Sequence, residues 1–265
     1  MSPPAVSEIR KTSDIDFTIP KNLSFFDPYL RYWINEVLEI GGEAHVAKDS
    51  DGAVSGIFTY DDFEKIGTIY TRSMKVFDYF YGLKPFNILF AEMRSEHENE
   101  IHDIYTIDLE KVSIDHRFRH EISVASEDYF DEIKQFMVLT DSGINRKWVN
   151  VAFKNGDRCI IVRFGNEIAG LGWLSFVNSI GRMHSLYVKP QFRGMGIGAD
   201  ILYARLLWLK SNHAKSAFSE IPRSNLPSSR VATKGHMTIS GQVFQYVRSR
   251  SNPEIAPRTA TQHSS

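Results

Sequence analysis

The sequence predicts a mixed α/β (α+β) fold: a mostly antiparallel, twisted sheet flanked by helices, preceded by a smaller α/β N-terminal domain. Three observations predict it. Residues 158–188 hold three apolar stretches in succession, the first two parted only by Gly165-Asn166, and such tight turns impose antiparallel pairing. Segments with apolar residues at helical spacing lie on both sides of that run. The run then ends in a glycine-rich junction, Arg193-Gly194-Met195-Gly196-Ile197-Gly198, before another amphipathic stretch.

Each element has its own justification. Residues 1–20 are polar and Pro/Ser-bearing and read as a flexible lead-in. From Phe25 to Ile40 the stripe Tyr29, Trp33, Val37, Ile40 predicts a helix, and Gly41-Gly42 stops it. Two strands, 44–47 and 54–58, flank the turn Asp49-Ser50-Asp51-Gly52. A strand at 67–70, a helix at 73–81 ended by Leu83-Lys84-Pro85, and a strand at 87–91 complete an N-terminal domain assigned to residues 21–115.

The stretch 92–115 carries Glu92, Glu96, Glu98, Glu100, Asp103, Asp108 and Glu110. It reads as a solvated face or inter-domain connection, with a binding surface for a basic substrate as the alternative. A second domain, 119–247, opens with a strand at 120–125. Ser126 then stands as N-cap of a helix over 128–139 bearing Phe130, Ile133, Met137 and Val138. Asp141-Ser142-Gly143 interrupts before a helix at 146–153. Strands at 158–164 and 167–177 follow, then one running from Gly181 to Val188 and closed by Pro190. The helix after the glycine junction has Ile201, Leu202, Leu206 and Leu209 on its apolar face. A strand at 216–221, a short helix at 227–234 and a strand at 238–247 finish the domain, and residues 248–265 read as a disordered tail.

Composition narrows the function classes. The chain has 265 residues, 42% hydrophobic and 24% charged, with a formal net charge of −1, so nothing global favours nucleic acid. The single cysteine, Cys159, excludes an internal disulfide or a cysteine-based zinc cluster and reads as a small core residue. No apolar run approaches the ~20 residues that span a bilayer. The N-terminus lacks a signal peptide's apolar segment, so the expectation is a cytoplasmic protein without membrane or nucleic-acid partners.

The junction at 193–198 is the chemical signal. Glycines at a strand-to-helix junction let the backbone approach a ligand with several N–H groups pointing outward. The helix N-terminus adds partial positive charge, and Arg193 can add a charge-assisted bond to the same anion. A P-loop is excluded because Ala199-Asp200 stands where Lys-Ser/Thr is needed. A dinucleotide fingerprint is excluded because the spacing is GxGxG and the junction follows antiparallel strands.

The run Leu186-Tyr187-Val188-Lys189-Pro190-Gln191-Phe192-Arg193-Gly194-Met195-Gly196-Ile197-Gly198 resembles the strand and [QR]-x-x-G-x-[GA] loop of the GNAT superfamily of N-acetyltransferases. Glu220 in a strand, then Asn225, Ser228, Val231 and Lys234, is similar to that family's closing region. The resemblance covers about residues 119–247. It implies an acetyl-CoA-dependent N-acyltransferase that moves an acetyl group to an amine of a small molecule, protein or peptide without a metal. By the same resemblance Leu186, Tyr187 and Val188 would hold the pantetheine arm. Arg193, Gly194, Met195, Gly196, Ile197 and Gly198 would hold the pyrophosphate, and Asn225 and Ser228 would contact the arm near the thioester.

The attacking amine must lose a proton and the departing thiolate must gain one. Glu220 and His184 are the candidate bases; the first could equally be a strand carboxylate paired with an Arg, the second a packing residue. The tyrosine that many members place seven positions after the asparagine is Ala232 here, and the family's Gly-Phe is His236-Met237. Protonation of the thiolate would fall to water, Tyr187 or Tyr246, or to no protein group. That departure supports a competing reading, a non-catalytic acyl-CoA-binding or interaction module. The N-terminal domain repeats the order of elements without a glycine loop and reads as a degenerate, non-binding half-copy.

Overall fold

The apolar runs 158–164 and 167–177 are buried almost throughout and build the framework. The computed structural model describes residues 5–9, 27–95, 100–140 and 146–247. In chain order its elements begin with β1 (Ala5–Ile9), α1 (Asp27–Glu39), β2 (Glu43–Lys48), β3 (Val54–Asp61), β4 (Ile66–Thr71), α2 (Met74–Leu83), β5 (Ile88–Ala91) and β6 (Glu100–Asp108). They continue with β7 (Ile122–Val124), α3 (Phe130–Thr140), α4 (Arg146–Lys154), β8 (Arg158–Phe164), β9 (Glu167–Val177) and β10 (Ile180–Val188). Last come α5 (Ile197–Ser211), β11 (Ser216–Pro222), α6 (Leu226–Lys234) and β12 (Thr238–Val247).

The chain forms two compact units, neither continuous in sequence. Among the described residues, the first draws on 5–9, 37–95, 100–101 and 243–247; the second on 27–36, 102–140 and 146–242. In the first unit the strand order is β1-β2-β3-β4-β5 followed by the end of β12, and only β4 and β5 pair in parallel. Its core is aromatic: Phe58 stacks on Phe80 at 5.5 Å, and Phe77 meets Tyr246 at 5.7 Å.

In the second unit the order is β6-β11-β10-β9-β8-β7, antiparallel except for β10 with β11. The two faces of this sheet bury different cores, as the two-residue side-chain period requires. Met183, Leu174, Ile160 and Ala217 pack beneath α5 against Ile201, Leu206 and Leu209. Trp173, Leu171, Cys159 and Ile161 pack with Ile133, Phe136 and Val149 of α3 and α4. Gly181 is dictated by the first core, since a Cβ there would lie 2.4 Å from Leu209.

Several expectations need correction. The lead-in contains β1, paired with β2 from Ala5↔Lys48 to Ile9↔Ala44. The acidic stretch contains the nine-residue β6, whose Ile104, Tyr105 and Ile107 are buried and which pairs with β11 over Ser216–Pro222. Its carboxylates mask an ordinary half-buried strand. Ser126 is followed by a short 3-10 turn, Glu127–Tyr129, and its hydroxyl donates to Asp128 at 3.3 Å, so it starts a turn rather than capping α3.

The grouping into units also differs from a division near residue 115. Residues 27–36 lie in the second unit because Tyr29 and Tyr32 each pack on Phe218 at 5.1 Å. Residues 243–247 lie in the first, where Phe244–Val247 pairs with β5. Asp141-Ser142-Gly143 and the tail from 248 fall outside the described residues. Among those described, no helix is long and apolar enough to cross a membrane, and no cluster of three His, Cys, Asp or Glu could hold a metal ion.

Candidate functional site

Two neighbouring strands that part company create the site. β10 and β11 are paired only from Ile180↔Ser216 to Arg182↔Phe218; beyond that point they splay while β11 stays paired with β6. β10 is irregular where the splay begins: its register with β9 shifts between His184 and Tyr187, and Ser185 has φ 49°. A non-glycine residue in that region is strained and needs local support. Support comes from Arg205 of α5, 2% exposed, which donates to the carbonyl oxygens of Trp173 at 3.1 Å and His184 at 3.3 Å. At Gly172 a Cβ would lie 2.7 Å from Ile201 Cγ2 and 3.3 Å from Arg205 Cζ, so glycine there leaves room for both side chains of α5. Burial pulls this guanidinium down to about 9, a large shift for an arginine, in keeping with a cation bonded to peptide carbonyls rather than to a carboxylate.

A cavity of about 570 Å³ lies beside the splay. Leu186, Tyr187 and Val188 line it from β10, Arg193, Gly194, Gly196, Ile197 and Gly198 from the loop, and Asn225, Ser228, Val231 and Lys234 from α6. Of the residues singled out from sequence for binding, only Met195 is missing from the lining; its side chain is exposed.

The loop has the geometry of an anion cradle. Gly194 and Gly196 have φ of 83° and 91°, which glycine alone adopts freely. At Gly198 a Cβ would meet nothing closer than Val231 at 3.5 Å, so glycine there is not imposed by protein packing and keeps the approach to the helix start open. Among the described residues, the N–H groups of residues 194–198 make no hydrogen bond within the protein. Arg193 is partly committed: Nε donates to the Val188 carbonyl at 3.1 Å and the guanidinium lies 5.5 Å from the Tyr187 ring. Asn225 is the N-cap of α6, its side chain accepting from Ser228 N at 3.2 Å, so it fixes the helix that closes the cavity's far side.

Glu220 and His184 lie in a buried polar cluster on the sheet face covered by α1. Arg182 Nε donates to Glu220 Oε2 at 3.1 Å, and the Glu220 side chain is only 5% exposed. Its other oxygen, Oε1, is buried without a hydrogen-bond partner among the described residues. The Arg182 guanidinium stacks 4.5 Å from the Trp33 ring. Burial alone would lower its proton affinity, but Glu220, Tyr32 and Glu36 outweigh that and keep it charged. Tyr32 donates to or accepts from Ser175 at 2.6 Å, and burial followed by the nearby Glu36 raises its hydroxyl far above the usual phenol range.

His184 Nδ1 lies 3.3 Å from Ser185 Oγ and Nε2 lies 3.8 Å from Asp157 Oδ2. Burial, then Arg182 and Arg205, push the imidazole well below its ordinary range, so it is neutral at neutral pH. Asp157 moves the other way: burial and the Glu36 charge raise it to about 7. Asp157 and His184 are thus a carboxyl–imidazole pair whose proton affinities are displaced in opposite senses.

Sequence reasoning found Glu220 and His184 but missed Asp157, Arg182, Tyr32 and Glu36. The only signal was an arginine inside the apolar run 180–188 and an acid directly after the turn Asn155-Gly156. Ala232 is 3% exposed in the core beneath α5, so α6 offers no hydroxyl at that position. Tyr246 belongs to the first unit, donating to Met93 O at 2.8 Å and accepting from Ser95 N at 2.9 Å. Tyr187 lines the cavity.

Residues 116–236 match the model of the acetyltransferase (GNAT) family. No curated protein matches the chain. Among solved structures, the chain is similar to a GCN5-related N-acetyltransferase from Sphaerobacter thermophilus at 14% identity and TM-score 0.55, covering 83% of this chain and 84% of that one. A tandem GNAT protein from the clavulanic acid biosynthesis pathway is similar at 9% identity and TM-score 0.55, covering 91% and 97%. A GNAT-family acetyltransferase from Colwellia psychrerythraea is similar at 10% identity and TM-score 0.54, covering 92% and 99%. At these identities the likeness is one of fold.

Proposed function

We propose, for a chain whose residues 116–236 belong to the acetyltransferase (GNAT) family, that the second unit is an acetyl-CoA-dependent N-acyltransferase acting on an amine by direct transfer. The observation that carries this reading is the cavity between the splayed end of β10 and α6, with the unpaired N–H groups of residues 194–198 at one end. Acetyl-CoA is here a co-substrate. The backbone of Leu186 and Val188 offers sheet-like bonds to its pantetheine arm, and the loop with the start of α5 holds the pyrophosphate. Asn225 and Ser228 bound the arm from the other side.

In the reaction the amine nitrogen bonds to the thioester carbonyl carbon and the carbon–sulfur bond breaks. One proton leaves the nitrogen and one reaches the sulfur. We assign the first to the buried polar cluster, with Glu220 Oε1 and His184 as candidate acceptors and Asp157 behind His184. Tyr187, on the cavity wall, is the candidate donor to sulfur. No metal is required because the thioester is already activated. The acceptor is an amine of a small molecule or of a protein or peptide.

Two measurements test this reading. Isothermal titration should show acetyl-CoA binding that Gly196→Trp abolishes; absence of heat, or unchanged binding in the variant, would refute the donor site. Thiol release from acetyl-CoA, assayed against amines, polyamines, amino acids and peptides, should fall about a hundredfold or more in Glu220→Gln if that carboxylate takes the proton. Turnover that survives both Glu220→Gln and His184→Ala would discard these bases while leaving catalysis standing. The buried Ala232 favours a second reading, a non-catalytic acyl-CoA-binding module. Binding without turnover for any acceptor in the panel would select it.

The first unit repeats a parallel strand–helix–strand crossover, β4–α2–β5, comparable to β10–α5–β11. We read it as a degenerate GNAT-like half-copy that does not bind CoA.

A further inference from the structure

An acid in the first turn of a phosphate-binding helix is out of place, since its charge opposes the anion the helix start attracts. Asp200 occupies that turn and is 1% exposed. Its carboxylate is fully engaged by one short segment. Oδ1 accepts from His116 Nε2 at 2.6 Å, and Oδ2 accepts from His120 Nδ1 at 2.7 Å and from the Arg119 backbone N–H at 3.1 Å. An ionised carboxylate only accepts, so both imidazoles turn an N–H towards it. His116 also stacks on Tyr203 of α5 at 4.0 Å and 13°. Residues 116–120 are thereby clasped onto the first two turns of α5.

The consequence is the placement of Arg119. Its Nη1 lies 3.5 Å, and its Cδ 3.7 Å, from where a Cβ on Gly196 would sit. The side chain is otherwise exposed. It thus runs along the left-handed turn of the loop beside Gly196. Arg193, the cation expected there from sequence, turns back to the Val188 carbonyl and the Tyr187 ring.

We propose that Arg119 is a phosphate ligand for the nucleotide end of CoA, and that Asp200 with His116 and His120 is the clasp that positions it. This rests on the donor-site reading above. Asp200 then has a use that fits its location: it spends its charge on two imidazoles and a peptide N–H, and delivers a guanidinium to the loop. Two phosphate sources share this chemistry, the pyrophosphate and the 3′-phosphate.

Titration of the full chain with CoA and with dephospho-CoA tests the assignment. Arg119→Gln should weaken CoA binding about tenfold at low salt. A loss seen only with CoA assigns the 3′-phosphate; a loss with both ligands assigns the pyrophosphate. Wild-type binding that Arg119→Gln leaves unchanged for both ligands overturns this inference alone, whereas a wild-type chain that binds neither overturns the donor-site reading and this one with it. Asp200→Asn should also weaken CoA binding, but should add no further loss in the Arg119→Gln background, while its effect on melting temperature persists there. Additive losses of affinity would show that Asp200 acts on the fold and not through Arg119.

Discussion

Asp157 and His184 sit 3.8 Å apart with proton affinities displaced in opposite senses, and their displacements tie stability to pH. The unfolded carboxyl ionises near 3.9, whereas in the folded chain burial and Glu36 raise Asp157 to about 7. Between those values the folded state holds a proton that the unfolded state has lost, so this group's contribution to stability falls as pH rises through that window. His184 is depressed instead, chiefly by burial. Below its ordinary range the unfolded state takes up a proton the folded state refuses, so its contribution falls as pH drops. Asp157→Asn removes the first effect. Its melting temperature relative to wild type should therefore rise more at pH 8 than at pH 5, by on the order of 5 °C. Equal differences at the two pH values would mean that Asp157 ionises normally. These two residues were unequally legible in the sequence. His184 stands on the strand leading to a recognisable loop, whereas Asp157 gains its meaning from Glu36 and Arg182, which are distant in sequence and meet it only through α1 and the pairing of β8, β9 and β10.

At the scale of elements, the periodic segments could be read directly because their patterns record what they bury. β8, β9, α5 and β11 fall where their apolar spacing places them, and the glycine loop lines a cavity. The strands that escaped notice are those whose patterns are diluted by charge. β6 carries Glu100, Asp103 and Asp108, yet Asp103 is held by Arg223 at 2.5 Å, so the acid is satisfied within the sheet rather than solvated. The irregularity of β10 had no sequence mark: Ser185 adopts φ 49° beside a carbonyl held by Arg205, which is distant in sequence. The start of α6 makes a sharper test of element-level logic. Asn225→Ala removes the side-chain acceptor for Ser228 N and should cost about 1 kcal/mol of stability. If Asn225 serves only as a cap, Asn225→Ser should restore both melting temperature and acetyl-CoA affinity. If it also bonds the pantetheine arm, Asn225→Ser should restore melting temperature but leave affinity low.

At the scale of the whole molecule, two β–α–β crossovers invite the expectation of two donor sites. The connection between strand and helix argues against it. In the second unit residues 189–196 join β10 to α5, long enough to turn twice through left-handed glycines and expose a row of N–H groups. In the first unit only Arg72 and Ser73 join β4 to α2. That junction has no glycine and no length of loop to wrap a pyrophosphate, so its helix start cannot be approached in the same way. The chain should therefore bind one equivalent of acetyl-CoA. At a hundredfold excess over Kd, binding should stabilise it by about 2.7 kcal/mol, a rise in melting temperature of roughly 5–10 °C. Both effects should vanish together in Gly196→Trp. A titration that reaches two equivalents, with one surviving the substitution, would place a second donor site in the first unit and end its description as a non-binding half-copy.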